Sequence, residues 1–156
     1  MQRLVFGAVA GFSATMAMTA AMRHLFHHLD RNDRYPLPPR EINQELFPHG
    51  GRALPALTVL SHFGYGAAAG ALYALLPRRK SPGALYGVAV WAASYFGWVP
   101  GFRILRPASR HPPRRDILMI AAHLVWGLAL SAGLRELDRS AEDVFAAGDA
   151  RDAWDE

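Results

Sequence analysis

His62 and His123 stand where ionisable side chains are scarce. Each lies in a stretch free of Asp, Glu, Lys and Arg, and each opens a similar pattern: His62-Phe63-Gly64-Tyr65-Gly66 with Gly70, and His123-Leu124-Val125-Trp126-Gly127 with Ser131. Imidazole in such surroundings has three chemistries open to it. As a neutral ring it hydrogen-bonds a neighbouring helix, with Ser61, Ser94, Ser131, Thr15 and Thr19 as candidate partners. As a group that titrates near neutrality it relays protons or lines an ion path. As a pair it ligates haem or a metal between helices. No cofactor motif accompanies the pair, so the expectation is no cofactor, with haem or metal at His62 and His123 the alternative.

The other titratable clusters say less. His24 and His28 share a helical face beside His27 and could hold a divalent ion, but no Glu completes an HExxH arrangement, so no metal site is expected there. With no cysteine, thiolate metal sites and thiol nucleophiles are excluded. A phosphate-binding loop, a nucleophile elbow and paired carboxylates are all missing from the sequence, and no enzymatic activity or catalytic residue is expected.

The elements that must position the histidines follow from four windows without acidic or basic residues: Leu4–Met22, Leu54–Leu76, Ala84–Phe102 and Ile117–Leu134. Each has the length of a bilayer-crossing helix, and a water-soluble amphipathic helix would carry charges on its outward face. The expected fold is therefore an all-α integral membrane protein of four transmembrane helices over residues 1–139, followed by an acidic, frayed or disordered tail over 140–156. The first window lacks a cleavage site and reads as a retained helix. Arg23–Leu29 continues it past the bilayer, and Pro36, Pro38 and Pro39 then impose extended chain. The segment from Pro77 to Gly83 is a tight turn, which makes the second and third helices an antiparallel hairpin.

The halves resemble one another. Gly7 and Gly11 match Gly83 and Gly87 as GxxxG pairs, Pro38-Pro39-Arg40 matches Pro112-Pro113-Arg114, and the His62 motif matches the His123 motif, at offsets of 76, 74 and 61 residues. Two duplicated helical hairpins, arranged as parallel repeats, account for this order. Small residues let membrane helices approach, so Gly7, Gly11, Gly66, Gly70, Gly83, Gly87 and Gly127, with Gly97 and Gly101, mark helix contacts within one chain or in a homo-oligomer. Trp91, Tyr95 and Trp98 form an aromatic stripe, with Trp98 the expected interfacial anchor.

A net charge of +4 with basic residues gathered between the apolar blocks suits lipid headgroups better than nucleic acid, and the bilayer is the expected partner. Ten of the 17 Lys and Arg residues lie in the two longer connections and seven at the termini and the middle turn, which leaves the direction of insertion open; an even number of spans puts both termini on one side. The Pro-Pro-Arg segments read as stiff loops whose arginines meet lipid phosphates.

Pro36-Leu37-Pro38-Pro39-Arg40 after a glycine-rich first helix, His62 in the second and His123-Leu124-Val125-Trp126 in the last resemble the YagU-like bacterial inner-membrane family of unknown function, from about Gly7 to Arg139. The resemblance implies a multipass inner-membrane protein without an established catalytic mechanism, and carries over Pro38, Pro39, Arg40, His62, His123 and Trp126. The expected role is a structural or stress-linked membrane module with buried histidines. The alternatives are a His-lined proton or ion conduit, a haem- or metal-binding protein, and a scaffold recruiting partners through its Pro-Pro-Arg loops and acidic tail.

Overall fold

Chain without charge for five turns has no polar face to offer water, and in each of the four windows it coils to satisfy its own backbone. The computed structural model describes residues 1–77, 82–146 and 148. Its helices are α1 (Gln2–Phe26), α2 (Pro38–Leu46), α3 (Leu54–Tyr73), α4 (Gly83–Ala92), α5 (Val99–Gly101) and α6 (Pro113–Asp143), with a π-helical stretch over Ala93–Trp98 and three short 3-10 turns. All regular structure among the described residues is helical. The expected turn at Arg78–Ser81 lies outside the described residues, as does most of the acidic tail; the part of the tail from Ser140 to Asp143 is the end of α6.

The prolines correct one expectation. Leu37 is extended, with φ −76° and ψ 157°, but Pro38 and Pro39 then open the nine-residue α2. The first helical turn has N–H groups with no acceptor in the helix, so proline loses nothing there. Pro112 and Pro113 stand likewise at the start of α6. Both Pro-Pro-Arg segments are helix starts rather than loops.

The packing order follows the glycines. α1 lies along α3 and α6, and α4 lies along α6. A Cβ on Gly7, Gly11, Gly66 or Gly70 would fall within 3.0 Å of the facing helix, and so would one on Gly83, Gly87 or Gly127. These positions are used inside the chain. Gly97 and Gly101 have no facing atom within 4 Å, so that pair marks no contact. α1 runs antiparallel to α3, because Gly7 meets Gly70 while Gly11 meets Gly66. The expected hairpin of α3 with α4 is not close-packed: the two share no extended backbone contact. Side chains fill the gap instead, with Tyr73 against Tyr86 (centroids 4.9 Å apart) and Tyr65 against Trp98 (5.9 Å). Rings of that size hold apart two helices whose glycines face elsewhere.

The interior is small and the exterior large. Ala14, Ala122 and Leu130 are at most 1% exposed, whereas Val5, Met16, Leu60, Leu72, Leu85 and Ile117 are more than half exposed. α1 and α6 are long and apolar enough to cross a membrane, with mean hydropathies of 1.6 and 2.0 over their best windows. At the end of the bundle opposite α2, Arg3 donates to the Leu76 carbonyl (3.2 Å) and pairs with Asp138 (3.5 Å), which brings the start of α1 beside the last turns of α6.

Candidate functional site

Where α3 and α4 part, a cavity of about 360 Å³ opens. Its wall combines α1 (Thr15, Met18), α2 (Pro38, Pro39, Ile42, Asn43, Leu46), α3 (Ser61, His62, Tyr65, Gly66), the third helical run (Val90, Ser94, Tyr95, Trp98) and α6 (Met119, His123, Trp126). His62 and His123, 61 residues apart, thus share one chamber. So do Pro38, Pro39 and Trp126, whereas Arg40, Pro112, Pro113 and Arg114 lie outside its wall. Arg114 instead pairs at the surface with Asp30.

The imidazoles are not bonded as the sequence suggested. His123 Nδ1 lies 2.7 Å from the Met119 carbonyl one turn back on its own helix, so Nδ1 carries the proton and Nε2 the lone pair. His62 Nε2 is buried with no hydrogen-bond partner. The bond between helices comes from Trp126, whose Nε1 donates to the Gly11 carbonyl (3.3 Å) and to Thr15 Oγ1 (3.2 Å) on α1. Thr15, Thr19, Ser94 and Ser131 each donate to a carbonyl of their own helix, as hydroxyls in apolar helices do, so none is spent on a histidine.

The π-helical stretch shapes the wall. It widens the helix after Ala92, and Gly97 departs from helical geometry (φ −107°, ψ −106°). Regular helix therefore does not extend through the third window as expected, and the aromatic stripe splits. Trp91 stacks on Tyr95 (5.8 Å), while Trp98 turns to the cavity, its Nε1 3.3 Å from Ser94 Oγ. Trp98 is a wall residue rather than a free anchor. π turns recur where a helix must aim side chains at a site.

Asn43 and Arg115 were not singled out by sequence, and Tyr95 only as one member of the aromatic stripe. Asn43 is 2% exposed and donates through Nδ2 to the Pro39 carbonyl and to Ser61 Oγ, both at 2.8 Å. Its Oδ1 is buried without a partner, as is the Tyr95 hydroxyl. Each such atom costs about 1–3 kcal/mol. Arg115, 3% exposed, donates to the carbonyls of Asp33 (3.0 Å), Tyr35 (2.9 Å) and Pro36 (2.8 Å), reaches Glu41 Oε2 (3.3 Å) and lies over the Tyr35 ring. It fastens the segment leading into α2 to the start of α6. An arginine directly after a Pro-Pro-Arg helix start, where helix geometry turns it inward, is the only signal the sequence offered.

Burial raises the Glu41 carboxyl above its ordinary 4.5, with Arg115 partly opposing, and raises Asp116 above 3.8 beside His111. The folded state therefore holds these protons to higher pH than the unfolded chain, and folding is favoured most below the ordinary values. We expect the melting temperature to fall as pH rises from about 4 through the raised range. Glu41→Gln with Asp116→Asn should flatten that slope. A melting temperature that climbs over this interval would mean the Arg115 ion pair outweighs desolvation.

Among the described residues no three His, Asp or Glu side chains converge as a metal set. His24 and His28 lie ring beside ring at 4.9 Å, with His28 Nδ1 turned to the His24 carbonyl. The chain matches no protein-family model, no curated protein and no solved structure.

Proposed function

We propose that the chain is a four-span inner-membrane protein, built as two repeated hairpins, that holds a small molecule dissolved in the bilayer. One observation carries the reading: α1, α2, α3, the third helical run and α6 enclose a cavity of about 360 Å³ whose wall is largely aromatic and apolar, has no Asp, Glu, Lys or Arg, and brings His62 and His123 together. A concave site of that size, mostly apolar with a few polar groups, suits a small lipid-soluble molecule.

The membrane part rests on the large apolar side chains that face outward and on α1, whose apolar window is only 33% buried. The core helix of a water-soluble protein would bury most of that window. α3 and the α4–α5 run are read as the remaining spans because they are uncharged and packed on the first two. The repeat is supported by the contacts: Gly7 with Gly70 and Gly11 with Gly66 correspond, at offsets of 76 and 61, to Gly83 with Ser131 and Gly87 with Gly127. The change of offset from 74 to 61 leaves 13 additional residues in the first half, where α2 forms a separate helix. The same reading keeps the YagU-like resemblance, since Pro38, Pro39, His62, His123 and Trp126 meet at the cavity.

The test is native mass spectrometry of the protein released from lipid nanodiscs, comparing wild type with Ser61→Trp, a plug at an exposed position of the cavity wall. A small adduct retained by wild type and lost in the plugged variant is the expected result; identical spectra without adducts would leave a purely structural module. A second reading, haem or metal at His62 and His123, is favoured by their meeting in one chamber. It predicts an optical or elemental signal from the purified protein that vanishes in His62→Ala with His123→Ala. An ion conduit lined by His62 and His123 is checked by flux in liposomes, which should vanish in His62→Ala with His123→Ala.

A further inference from the structure

We infer that the last turns of α1 and the groove beside them bind one phospholipid with an anionic headgroup, its phosphate on Arg23, His24 and His27 and the start of a tail along Met16 and Phe63. This goes beyond the cavity and rests on the reading that α1 spans the membrane. Along α1, Met16, Ala20, Arg23 and His27 recur at steps of four, three and four residues, which sets them on one face of the helix. That face changes character where the charge-free window ends at Met22, the level at which hydrocarbon gives way to headgroups. A lipid passes from tail to phosphate at the same level.

The fold makes a groove of this face. A volume of about 410 Å³ lies open between α1 and Phe63 of α3, in the range of small-ligand sites rather than of a single ion. Phe63 packs on Phe12, with centroids 4.9 Å apart, and so belongs with Met16 and Ala20 to the apolar half. Arg23, His24 and His27 form the other half, and no Asp or Glu lines the groove.

The cationic half is free to take an anion. Arg23 and the rings of His24 and His27 are exposed and make no hydrogen bond or ion pair among the described residues. They are not needed to cap α1, because the His27 carbonyl receives Arg34 (2.6 Å) and the His24 carbonyl faces His28 Nδ1 (3.0 Å). The end of a helix carries about half a negative charge, less than the full charge of Arg23. A guanidinium and two imidazole N–H groups offer a phosphate charge-assisted hydrogen bonds. A zwitterionic headgroup would bring an ammonium with no carboxylate to receive it, and a free phosphate would leave the apolar half unused.

The experiment records native mass spectra of the full-length protein released from nanodiscs that hold phosphatidylglycerol and phosphatidylcholine in equal amounts. Wild type should retain one phosphatidylglycerol about tenfold more often than one phosphatidylcholine. Arg23→Gln with His24→Gln and His27→Gln should abolish the preference. Ala20→Trp, a plug at an exposed position of the apolar half, should lower retention several-fold with every cation in place. Arg52→Gln removes an exposed arginine just before α3, at the same end of the bundle, and should change nothing. An equal loss in Arg52→Gln would overturn the site in favour of diffuse attraction to a basic surface. Displacement of the lipid by excess inorganic phosphate, with Ala20→Trp silent, would overturn the lipid in favour of a free anion. Equal retention of both lipids by protein that floats with liposomes would overturn the site alone; protein that does not float would overturn the spanning reading, and the site with it.

Discussion

Gly127→Val is expected to separate α4 from α6 and to lower stability by more than about 3 kcal/mol. A Cβ at this position meets the Gly83 carbonyl oxygen and carbon within 3.0 Å and the Gly87 nitrogen at 3.1 Å. All three are backbone atoms, which cannot swing aside as a flexible side chain can. The helix must therefore withdraw along the whole seam; if, as proposed, the seam lies in a bilayer, no hydrophobic force presses it back, because lipid solvates apolar surface as well as a neighbouring helix does. Gly11→Val should act similarly on the seam of α1 with α3, where the obstacle is the backbone of Gly66 and Gly70. Gly64→Ala and Gly101→Ala are the controls, since nothing lies within 4 Å of a Cβ at either. The check is thermal or denaturant unfolding in mild detergent. Equal melting of Gly127→Val and Gly101→Ala would show that the seam does not hold the fold.

Arg115→Leu is expected to release the segment from Asp33 through α2, at a cost of about 3 kcal/mol. The change removes the donors to three carbonyls and strips Glu41 of its counter-charge. Each of those oxygens then has to find water, which it can do only if the segment lifts from α6. Hydrogen exchange should rise over residues 31–46 and stay low in α1 and α6. Arg115→Lys should rescue little, because a single ammonium cannot reproduce the planar fork that spans these acceptors. Arg114→Ala should change stability by under about 1 kcal/mol, since its pair with Asp30 is more than 60% exposed on both sides. Unchanged exchange over 31–46 in Arg115→Leu would show that α2 is held by its packing on α3 instead. Because α2 supplies Pro38, Pro39, Ile42, Asn43 and Leu46 to the cavity wall, its release should also weaken any guest.

The contrast between these two arginines shows where reading along the chain stops. Arg114 and Arg115 are adjacent and chemically identical, and the repeat drew attention to the first. Which of them is buried depends on the angle at which α6 enters the bundle, and one residue around a helix is a rotation of about 100°. The same limit applies to Asn43: nothing in Arg40-Glu41-Ile42-Asn43-Gln44 distinguishes it from a surface residue until α2 is laid against α3.

By itself the sequence determined that the four charge-free windows coil and that the glycines of α1, α3, α4 and α6 form seams, though not α2 or the break at Gly97, because absence of charge over a whole window and GxxxG spacing are local properties that act through the helix they belong to. It also singled out His62 and His123, since an ionisable group in an apolar run is costly wherever that run packs. The tertiary structure alone decided that α3 and α4 stand apart, that the π-helical stretch turns Trp98 and Ser94 toward the gap, and that Asn43, His62 and Tyr95 leave polar atoms unpartnered in one wall. Those outcomes depend on which of several apolar faces meet, and apolar surface of similar size attracts without direction. The choice among them is made by close packing between residues far apart in the chain, and no single stretch of sequence contains it.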